Sequence, residues 1–316
     1  MRALVTGATG FVGEALCRQL LKDGAFVRGS TRDRNRTCAA SDTVVIGAID
    51  GQTDWAAALD GIDVVFHLAG IAHIVERSQQ QHTAYERVNA DGTERLAREA
   101  ARAGVGRFVF LSSLKVNGEH SPAGGFRESD AARPEGPYAV SKLHAEERLG
   151  DVAHDTGLRC AILRSPLVYG PRVRANFLEL IRAIDRGRPL PFALVRNERS
   201  LIFVENLCSA LRCLASHPSA AGETFFASDG EPVSTAELIR RAASALDRRP
   251  RLVPVPVALL RAAAAVAGKG DAVQRLTASL AVDDRKIRTL LGWAPPHNMD
   301  GGLAETIAWY RGMRHQ

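Results

Sequence analysis

Three glycines near the start of the chain constrain its fold more than any other feature. Gly7, Gly10 and Gly13 follow directly on a short apolar run at residues 3–6 and open a stretch with helical character. In such a strand–turn–helix unit, the first glycine permits a tight turn, the second admits a pyrophosphate and the third lets the helix pack closely on the sheet. The N–H groups at the helix start then favour phosphate. We therefore predict a dinucleotide-binding turn made by Gly7, Thr9, Gly10, Phe11, Val12 and Gly13.

Short, almost wholly apolar runs alternate with helical stretches through the first half of the chain. This pattern is typical of a parallel sheet covered by helices on both faces, which is the α/β class with a Rossmann-type, doubly wound sheet. The predicted strands are 3–6, 26–29, 44–46, 64–68, 108–111 and 160–163, and the predicted helices are 13–23, 53–59, 85–103 and 138–156.

From about residue 171 the pattern loosens and proline and glycine become more frequent. Here we predict strands near 200–204 and 224–227 and helices at 176–186, 235–246, 257–267 and 303–311. The predicted organisation is a dinucleotide-binding domain at 1–170, to which 200–229 returns, and a smaller C-terminal α/β domain built from 171–199 and 230–316.

Composition limits the classes of partner. The 316 residues are 46% hydrophobic and 24% charged, with a net charge of +6, which is typical of a globular protein and not of a fibrous or disordered one. The arginines are scattered and form no basic stripe, so we expect small phosphorylated anions as ligands and no nucleic acid. Five cysteines without a close pair argue against a disulfide framework or a zinc site, so we predict no metal.

Two further features bear on location. The chain runs from Met1 directly into the glycine turn, which leaves no space for a signal peptide and predicts a cytoplasmic protein. The most apolar stretch, at 255–267, is too short to cross a bilayer and is interrupted by Arg261. We predict a buried or groove-lining helix there and no membrane partner.

The end of the second predicted strand bears on cofactor choice. An acidic residue usually stands there to bind the adenine ribose diol of NAD. Here the position falls to Thr31, followed by Arg32, and a hydroxyl with a guanidinium suits the 2′-phosphate of NADP(H). The alternative is that Arg32 is only a solvated loop charge and that Asp33 binds the diol of NAD(H).

A serine, a tyrosine and a lysine form the candidate catalytic set. Tyr138 and Lys142 stand four residues apart on a helical stretch and therefore share one face. An ammonium near a phenol lowers the pKa of the phenol, which can then exchange protons with an alcohol oxygen. Ser112 and Ser113 end a predicted strand, at the sheet edge where ligands of open α/β sheets bind.

With these residues the chain resembles the extended short-chain dehydrogenase/reductases, specifically the nucleotide-sugar epimerase/dehydratase/reductase branch. The resemblance covers essentially the whole chain. It rests on GATGFVG at 7–13, DVVFHLA at 63–69, NADGT at 89–93, the serines at 112–113, the Tyr138/Lys142 pair, LRSPLVYGP at 163–171, RSLIFVEN at 199–206 and LGW at 291–293.

The resemblance implies a role for each matching position. Tyr138 would be the catalytic acid/base, Lys142 would bind the nicotinamide ribose, and Ser113 would hydrogen-bond the reacting sugar oxygen. Asn89 would order the sheet edge, and Asn176 and Arg199 would hold the diphosphate of a nucleotide sugar. Cofactor contacts would extend to Thr31, Arg32, Ile49, Leu68, Ala69 and Gly70, in addition to the glycine turn, Tyr138 and Lys142.

Departures from the family pattern narrow the reaction. Leu114 and Lys115 stand where the dehydratases of the family carry an Asp-Glu pair, so the resemblance argues against dehydration. Lys115 and Asn117 occupy a substrate-facing stretch that differs from the usual one, and with residues 254–282 we expect them to set sugar choice. The run at 112–119 looks most like bacterial enzymes that act at C4 of 6-deoxy nucleotide sugars for O-antigen or other surface glycans.

The expected activity is reduction of a UDP- or dTDP-4-keto-6-deoxyhexose, with hydride from a nicotinamide cofactor and a proton from Tyr138. The alternative is a nucleotide-sugar 4-epimerase that retains NAD and passes through a 4-keto intermediate, since both reactions use the same side chains. A non-sugar carbonyl reductase and a non-catalytic dinucleotide sensor are further alternatives. The resemblance also implies a homodimer, formed through the helices at 85–103 and 138–156.

Overall fold

The fold is taken from a computed structural model that describes residues 1–72, 79–266, 268 and 270–314. Its strands, numbered in chain order, are β1 Arg2–Thr6, β2 Phe26–Thr31, β3 Asp42–Val45, β4 Val64–His67, β5 Arg107–Ser113, β6 Cys160–Ser165, β7 Leu167–Tyr169, β8 Leu201–Phe203 and β9 Glu223–Phe226. Seven of these form one parallel sheet in the order β3-β2-β1-β4-β5-β6-β9. The predicted α/β class with a doubly wound parallel sheet is confirmed.

Helices cover both faces of this sheet. They are α1 Phe11–Lys22, α2 Ala56–Leu59, α3 Gln79–Tyr85, α4 Gly92–Arg102, α5 Gly136–Thr156, α6 Ala175–Asp185, α7 Val204–Ser216, α8 Thr235–Ala245, α9 Val257–Val266, α10 Gly270–Thr277, α11 Arg285–Leu291 and α12 Met299–Arg314. A π-helical turn, Glu86–Asp91, joins α3 to α4, so the predicted helix at 85–103 is interrupted in its first part. π-helical turns of this kind are frequent at functional sites.

The apolar side chains of the sheet point into two clusters, one on each face. Leu16 of α1 and Leu207 of α7 belong to the first cluster, which continues to Tyr310 of α12. Leu96 of α4 and Leu149 of α5 belong to the second. Burial on both faces is why the strands read as continuous apolar runs.

The sheet order places its topological switch between β1 and β4. From β1 the chain builds outward through β2 to β3, and the next strand, β4, pairs with the opposite side of β1. Ligands of open α/β sheets bind outside the carboxyl ends of the strands at such a point. Thr6 and His67 end β1 and β4 side by side there, which makes this edge the expected position of the site.

The C-terminal half contains one strand, β7, and three helices, α7, α10 and α11, that were not predicted. The predicted strand near 224–227 forms β9 and joins the main sheet beside β6. The strand near 200–204 forms β8, which pairs with β7 in a separate two-stranded sheet. Its predicted return to the dinucleotide-binding domain stays a prediction. Helix α7 follows β8 directly.

The apolar stretch at 255–267 forms helix α9, but one of its faces is not buried. Val257 and Leu260 pack against the core, while Leu259 is 62% and Val266 92% exposed. Of the predicted alternatives, a buried helix does not hold for that face, and a groove-lining helix stays a prediction. Ala267 lies outside the described residues. Among the helices of the described ranges, none has the length and apolar character needed to cross a bilayer.

Candidate active site

The glycine turn has the geometry that its sequence predicts. Gly7 adopts φ +68°, and the N–H of Gly10 donates to the Gly7 carbonyl at 2.8 Å. A Cβ at Gly13 would lie 2.1 Å from the Gly7 carbonyl oxygen, so any larger residue would push α1 off the turn. Gly10 caps α1 without a side chain, which leaves the first-turn N–H groups open to an anion.

The side chains around this turn divide into exposed and packed ones. Thr9 is half-buried and Gly10 is exposed, so the turn itself meets solvent. Phe11 and Val12 pack against the core cluster of the same face. Their backbone N–H groups, and not their side chains, are therefore the groups that a pyrophosphate would meet.

At the end of β2, only some of the side chains are free to bind the adenine ribose. Thr31 is buried and its hydroxyl donates to the Asp33 carbonyl at 3.1 Å, so that hydroxyl already has a partner. Arg32 and Asp33 are both exposed. The Ser30 hydroxyl is buried without a hydrogen-bond partner among the described residues, which fits a ligand at this end of the strand.

Ile49 packs inside the protein. Its side chain is 8% exposed and belongs to the second core cluster. A Cβ built at Gly92 would come within 2.5 Å of the Ile49 Cγ2 atom, so the Ile49 side chain fills the space beside the start of α4. The predicted cofactor contact of Ile49 stays a prediction.

The loop after β4 is anchored by side chains from two directions. The N–H groups of Leu68 and Ala69 both donate to the Thr6 hydroxyl at 3.1 Å. Asn89 accepts from the N–H of Ile71 at 2.9 Å and donates to the Ser141 hydroxyl of α5 at 3.0 Å. A Cβ at Gly70 would lie 3.0 Å from the Asn89 Oδ1 atom, so this loop has a fixed path along the switch point.

The three predicted catalytic residues meet at the carboxyl end of β5. Ser113 is the last residue of β5, and its hydroxyl hydrogen-bonds the phenol of Tyr138 in the first turn of α5. Lys142, one turn further on, donates to the Leu111 carbonyl at 2.8 Å, and its ammonium lies 4.2 Å above the Phe110 ring. The spacing of Tyr138 and Lys142 thus places both beside the end of the same strand.

The electrostatics of this cluster correct one expectation. Burial raises the pKa of Tyr138 above its usual value of 10.0, and the hydrogen bond from Ser113 opposes that shift. Burial also lowers the pKa of Lys142 to about 8. A lowering of the Tyr138 pKa by Lys142 was expected, but the ammonium is bound to the Leu111 carbonyl. In the protein alone, Ser113 is the group that favours the phenolate.

The predicted substrate residues are divided between two places. Lys115 pairs with Glu119 at 2.6 Å at the mouth of the β5 edge. Asn117 is 1% exposed, accepts from Arg164 at 2.9 Å and donates to the Asp130 carbonyl at 3.4 Å. Its amide is occupied inside the protein, so a direct contact of Asn117 with the sugar does not fit this structure.

Arg199 and Asn176 come from the C-terminal half. The Arg199 guanidinium is half-buried and donates to the carbonyls of Arg275 and Ala278, at the end of α10. Burial lowers the pKa of Arg199, and the nearby Glu119 carboxylate opposes that shift. Asn176 is exposed in the first turn of α6, where N–H groups favour an anion.

Four residues of the site region were missed by reasoning from the sequence or assigned no role in catalysis. Tyr85 packs edge-on against Tyr138 with the ring centroids 6.1 Å apart. Thr6, His67 and Thr93 form a buried hydrogen-bonded set beneath the loop after β4. Thr6 and His67 are polar residues inside apolar strands, a signal that could have identified them because a buried polar group needs a partner. Thr93 lies in α4 and carries no such signal.

The described residues offer no metal site, and their cavity lies away from the predicted site. No group of three or more His, Cys, Asp or Glu side chains suited to a metal ion occurs in the described ranges. An open, polar cavity of about 750 Å³ lies beside β9, with Arg127, Glu128 and Lys286 in its lining. None of the predicted site residues lines that cavity, so its size alone does not mark the active site.

Comparison with known proteins identifies the family. The NAD dependent epimerase/dehydratase family matches residues 3–226. The chain belongs to this family. The proposed resemblance and the assignment as an enzyme of this family are thus confirmed.

Three relatives show how far the similarity extends. The chain is 39% identical over 309 residues to the UDP-glucose 4-epimerase of Vibrio cholerae, covering 96% of this chain and 93% of that one. It is 32% identical over 263 residues to a 3 beta-hydroxysteroid dehydrogenase/Delta 5-->4-isomerase of Mycobacterium tuberculosis, covering 78% and 70%. Among solved structures, MoeE5 in complex with UDP-glucose and NAD matches at a TM-score of 0.80 and 30% identity, covering 99% and 100%.

Proposed function

We propose that this protein interconverts the C4 epimers of a UDP-linked sugar, using NAD that it retains through the cycle. The observation that carries the proposal is the Ser113–Tyr138 hydrogen bond beside Lys142, at the sheet edge that the glycine turn opens. The names of the similar proteins support epimerisation above the 4-keto reduction expected first from the sequence. C4 chemistry on a nucleotide sugar is common to both readings.

The cofactor residues of this chain fit a dinucleotide. A Cβ at Gly7 would lie 3.0 Å from the Ala69 nitrogen and one at Gly13 2.1 Å from the Gly7 oxygen, so the close turn that leaves the first N–H groups of α1 open to an anion requires glycine. The Ser30 hydroxyl at the end of β2 is buried without a partner among the described residues. Gly7, Gly10 and Gly13 would hold the pyrophosphate, Asp33 the adenine ribose, Ala69 and Gly70 the nicotinamide side, and Lys142 the nicotinamide ribose. Bound NAD would supply reversible hydride acceptance at C4.

The proton steps belong to the protein. Tyr138, as phenolate, would take the proton of the C4 hydroxyl as that carbon is oxidised. It would return the proton after the 4-keto sugar has rotated in the site to present its other face. Ser113 would donate to the same C4 oxygen and stabilise the negative charge that develops there. Because burial raises the Tyr138 pKa in the protein alone, the phenolate would need the Ser113 hydrogen bond and the charge of the bound cofactor.

Arg199 and Asn176 would hold the diphosphate of the substrate, and Lys115 would contact the sugar. A guanidinium suits a diphosphate because it forms paired, charge-assisted hydrogen bonds. The Arg199 guanidinium donates to carbonyls at the end of α10. When the diphosphate binds, these neutral acceptors would be exchanged for charged phosphate oxygens. Asn117 would act indirectly, by holding Arg164 beneath the β5 edge.

A 4-keto reductase is the second candidate. Arg32 is exposed beside the adenine ribose position and has no ion-pair partner in the part of the chain that the structure describes. That arrangement suits the extra phosphate of NADP(H). A reductase would oxidise one NADPH for each keto sugar that it reduces. The similarity to a steroid dehydrogenase keeps a non-sugar alcohol as a further outcome to be tested.

The test is an assay of the purified protein with UDP-glucose and UDP-galactose and, separately, with dTDP- and UDP-4-keto-6-deoxyhexoses plus NADPH. We expect interconversion of the two UDP-hexoses without net change in absorbance at the NADH wavelength. Stoichiometric NADPH oxidation by a keto sugar would establish the reductase instead. Turnover only with a steroid alcohol and NAD would reject both sugar readings.

Tyr138→Phe checks the proton step. We expect a loss of kcat of at least about a hundredfold, since general acid–base catalysis contributes on that order. Tyr310→Phe is the matched control, because it removes a tyrosine hydroxyl that donates to Asp185 at 3.0 Å in α12. Full turnover by the Tyr138 variant would refute the mechanism.

Organisation, assembly and location follow as proposals. We infer a cofactor domain at 1–170 with part of 200–229, a substrate domain at 171–199 and 230–316, and a homodimer in the cytoplasm. The dimer would form through α4 and α5, which pack on each other and carry ion pairs such as Arg148 with Glu94 at 3.6 Å. Light scattering at micromolar concentration tests this assembly, and a monomer mass would reject it.

A further inference from the structure

His67 is a buried, ionisable residue for which the proposed reaction has no use. It ends β4 beside Thr6 of β1 and is 1% exposed. Its two ring nitrogens contact two hydroxyls: Nδ1 lies 2.7 Å from the Thr6 Oγ1 atom, and Nε2 lies 2.9 Å from the Thr93 Oγ1 atom. The ring therefore bridges the end of β1 and the first turn of α4.

The direction of these hydrogen bonds follows from counting protons. The Thr93 hydroxyl donates its one proton to the Asn89 carbonyl at 2.5 Å, so it accepts from Nε2–H of His67. Nδ1 is then unprotonated and accepts from the Thr6 hydroxyl. The Thr6 oxygen in turn accepts from the N–H groups of Leu68 and Ala69, at 3.1 Å each. Each proton in this chain has one acceptor.

The chain of bonds continues toward the catalytic tyrosine. Asn89, whose carbonyl receives the Thr93 proton, donates its side-chain amide to the Ser141 hydroxyl at 3.0 Å. Ser141 donates to the backbone carbonyl of Tyr138 at 2.9 Å. Two sets of buried or partly buried hydrogen bonds, joined through the residue Asn89, thus connect the loop at Leu68 and Ala69 with the turn of α5 that carries Tyr138.

We propose that His67 and Thr93 form a positioning pair that fixes the loop bordering the cofactor relative to the catalytic Tyr138. The expected effect of this pair on catalysis rests on the proposed function, whereas the hydrogen-bonded bridge itself does not. The two sites come from separate elements, β4 and α5, and hydride and proton transfer must converge on one carbon and its oxygen. Misplacement of such groups by even about 1 Å reduces the rate of reaction strongly.

The surroundings hold the ring in one orientation. His67 stacks on Phe110 with the centroids 5.6 Å apart and the planes 20° apart. Lys142 lies 4.2 Å over the centroid of the same Phe110 ring. Burial, with the Lys142 charge adding to it, lowers the pKa of His67 to about 3, so the ring is neutral at the pH of the reaction. A neutral ring is the form that can accept at Nδ1 while donating at Nε2.

Thr93→Val tests the pair, and Thr306→Val is its matched control. Both threonines are fully buried, and both donate to the carbonyl four residues earlier in a helical turn, at 2.5 Å for Thr93 and 2.6 Å for Thr306. Only Thr93 also accepts from a histidine. The two substitutions therefore remove the same local bond and differ in the bridge to His67.

We expect Thr93→Val to lower kcat about tenfold with little change in KM, because one buried hydrogen bond that orients the reacting groups is lost. Thr306→Val should retain kcat, and Thr93→Ser, which keeps the hydroxyl, should recover it. Equal kcat values for the two valine variants, both folded by circular dichroism, would overturn the proposal.

A second measurement does not depend on UDP-sugar turnover. In protein labelled with 15N-histidine, His67 should show the Nε2–H tautomer at neutral pH, and Thr93→Val should shift its Nε2 resonance while Thr306→Val leaves it in place. The Nδ1–H tautomer in the wild type would contradict the bond directions argued above. If the wild type fails to epimerise UDP-hexoses but shows this tautomer and shift, the proposed function fails and the hydrogen-bonded bridge stands.

Discussion

At the scale of single residues, His67 makes the stability of the fold depend on acid pH. Its pKa is about 3 in the folded protein against 6.5 for an exposed histidine. Between these two pH values, His67 is therefore protonated in the unfolded chain and neutral in the folded protein. Because the folded pKa is the lower one, the stability contributed by neutral His67 is present above pH 6.5 and is lost as the pH falls toward 3.

His67→Gln should remove this dependence. Between pH 6.5 and about 4 the wild type should lose up to about 1.4 kcal/mol of unfolding free energy per pH unit through His67. The variant should show a correspondingly shallower slope in urea unfolding across that range, whatever its absolute stability. His154→Gln is the control, because that ring is exposed in α5 and is solvated in both states. Parallel slopes for the wild type and the His67 variant would count against a buried neutral ring.

The candidate catalytic set could be predicted from the sequence because its geometry depends on local spacing. Tyr138 and Lys142 lie one helical turn apart, and Ser113 ends a strand, so their meeting requires only a regular helix and a parallel sheet. Asn117 could not be assigned in this way. Its partner Arg164 lies 47 positions away and also binds Glu146, at 2.5 Å, and no pattern within 112–119 announces that contact.

At the scale of secondary structure elements, the outer edge of β9 is protected by side chains from outside the sheet. The Phe226 N–H donates to the Glu128 carboxylate at 2.9 Å, and the Lys286 ammonium donates to the Thr224 carbonyl at 2.9 Å. Lys286 also pairs with Glu223 at 2.8 Å. An unpaired strand edge is a template for aggregation, so these two side chains satisfy groups that would otherwise be open to another strand.

Lys286→Met should expose this edge. We expect a loss of about 1–2 kcal/mol in the free energy of unfolding, since the Thr224 carbonyl loses a charge-assisted bond while the apolar stem is kept. We also expect faster aggregation near the unfolding temperature, measured by light scattering during heating. Lys22→Met, at the C-terminal end of α1, is the control for loss of one lysine charge. Indistinguishable aggregation of the two variants would dismiss a protective role for Lys286.

Elements were predicted well where local apolar sequence determines their structure, and poorly where contacts with distant parts of the chain determine their position. The buried strands of the first half carry their own apolar signal, so β1, β4 and β5 match closely. β8 carries the same signal, but its partner is β7, and a strand sequence does not say which sheet it joins. The exposed face of α9, with Leu259 and Val266, breaks the rule that an apolar helix is buried.

At the scale of the whole molecule, the two predicted domains share one hydrophobic core. The cluster that contains Val5 and Leu16 near the glycine turn also contains Leu303 and Tyr310 of α12. Leu211 of α7 is fully buried within it, and α7 packs on both α1 and β8. Residues assigned to both domains therefore stabilise each other across α7.

A shared core predicts cooperative unfolding. Trp55 is buried in the cluster beside α2, Trp293 is buried near α11, and the third tryptophan, Trp309, lies in α12. With Trp309 replaced by Phe, variants that keep only Trp55 or only Trp293 report on the two halves separately. Their denaturant transitions should coincide, because neither half retains a complete core alone. Leu211→Ala should shift both transitions together by about 2–5 kcal/mol, the cost of a cavity in a packed core. Two separated midpoints, with only one moved by Leu211→Ala, would show instead that the cofactor and substrate domains fold independently.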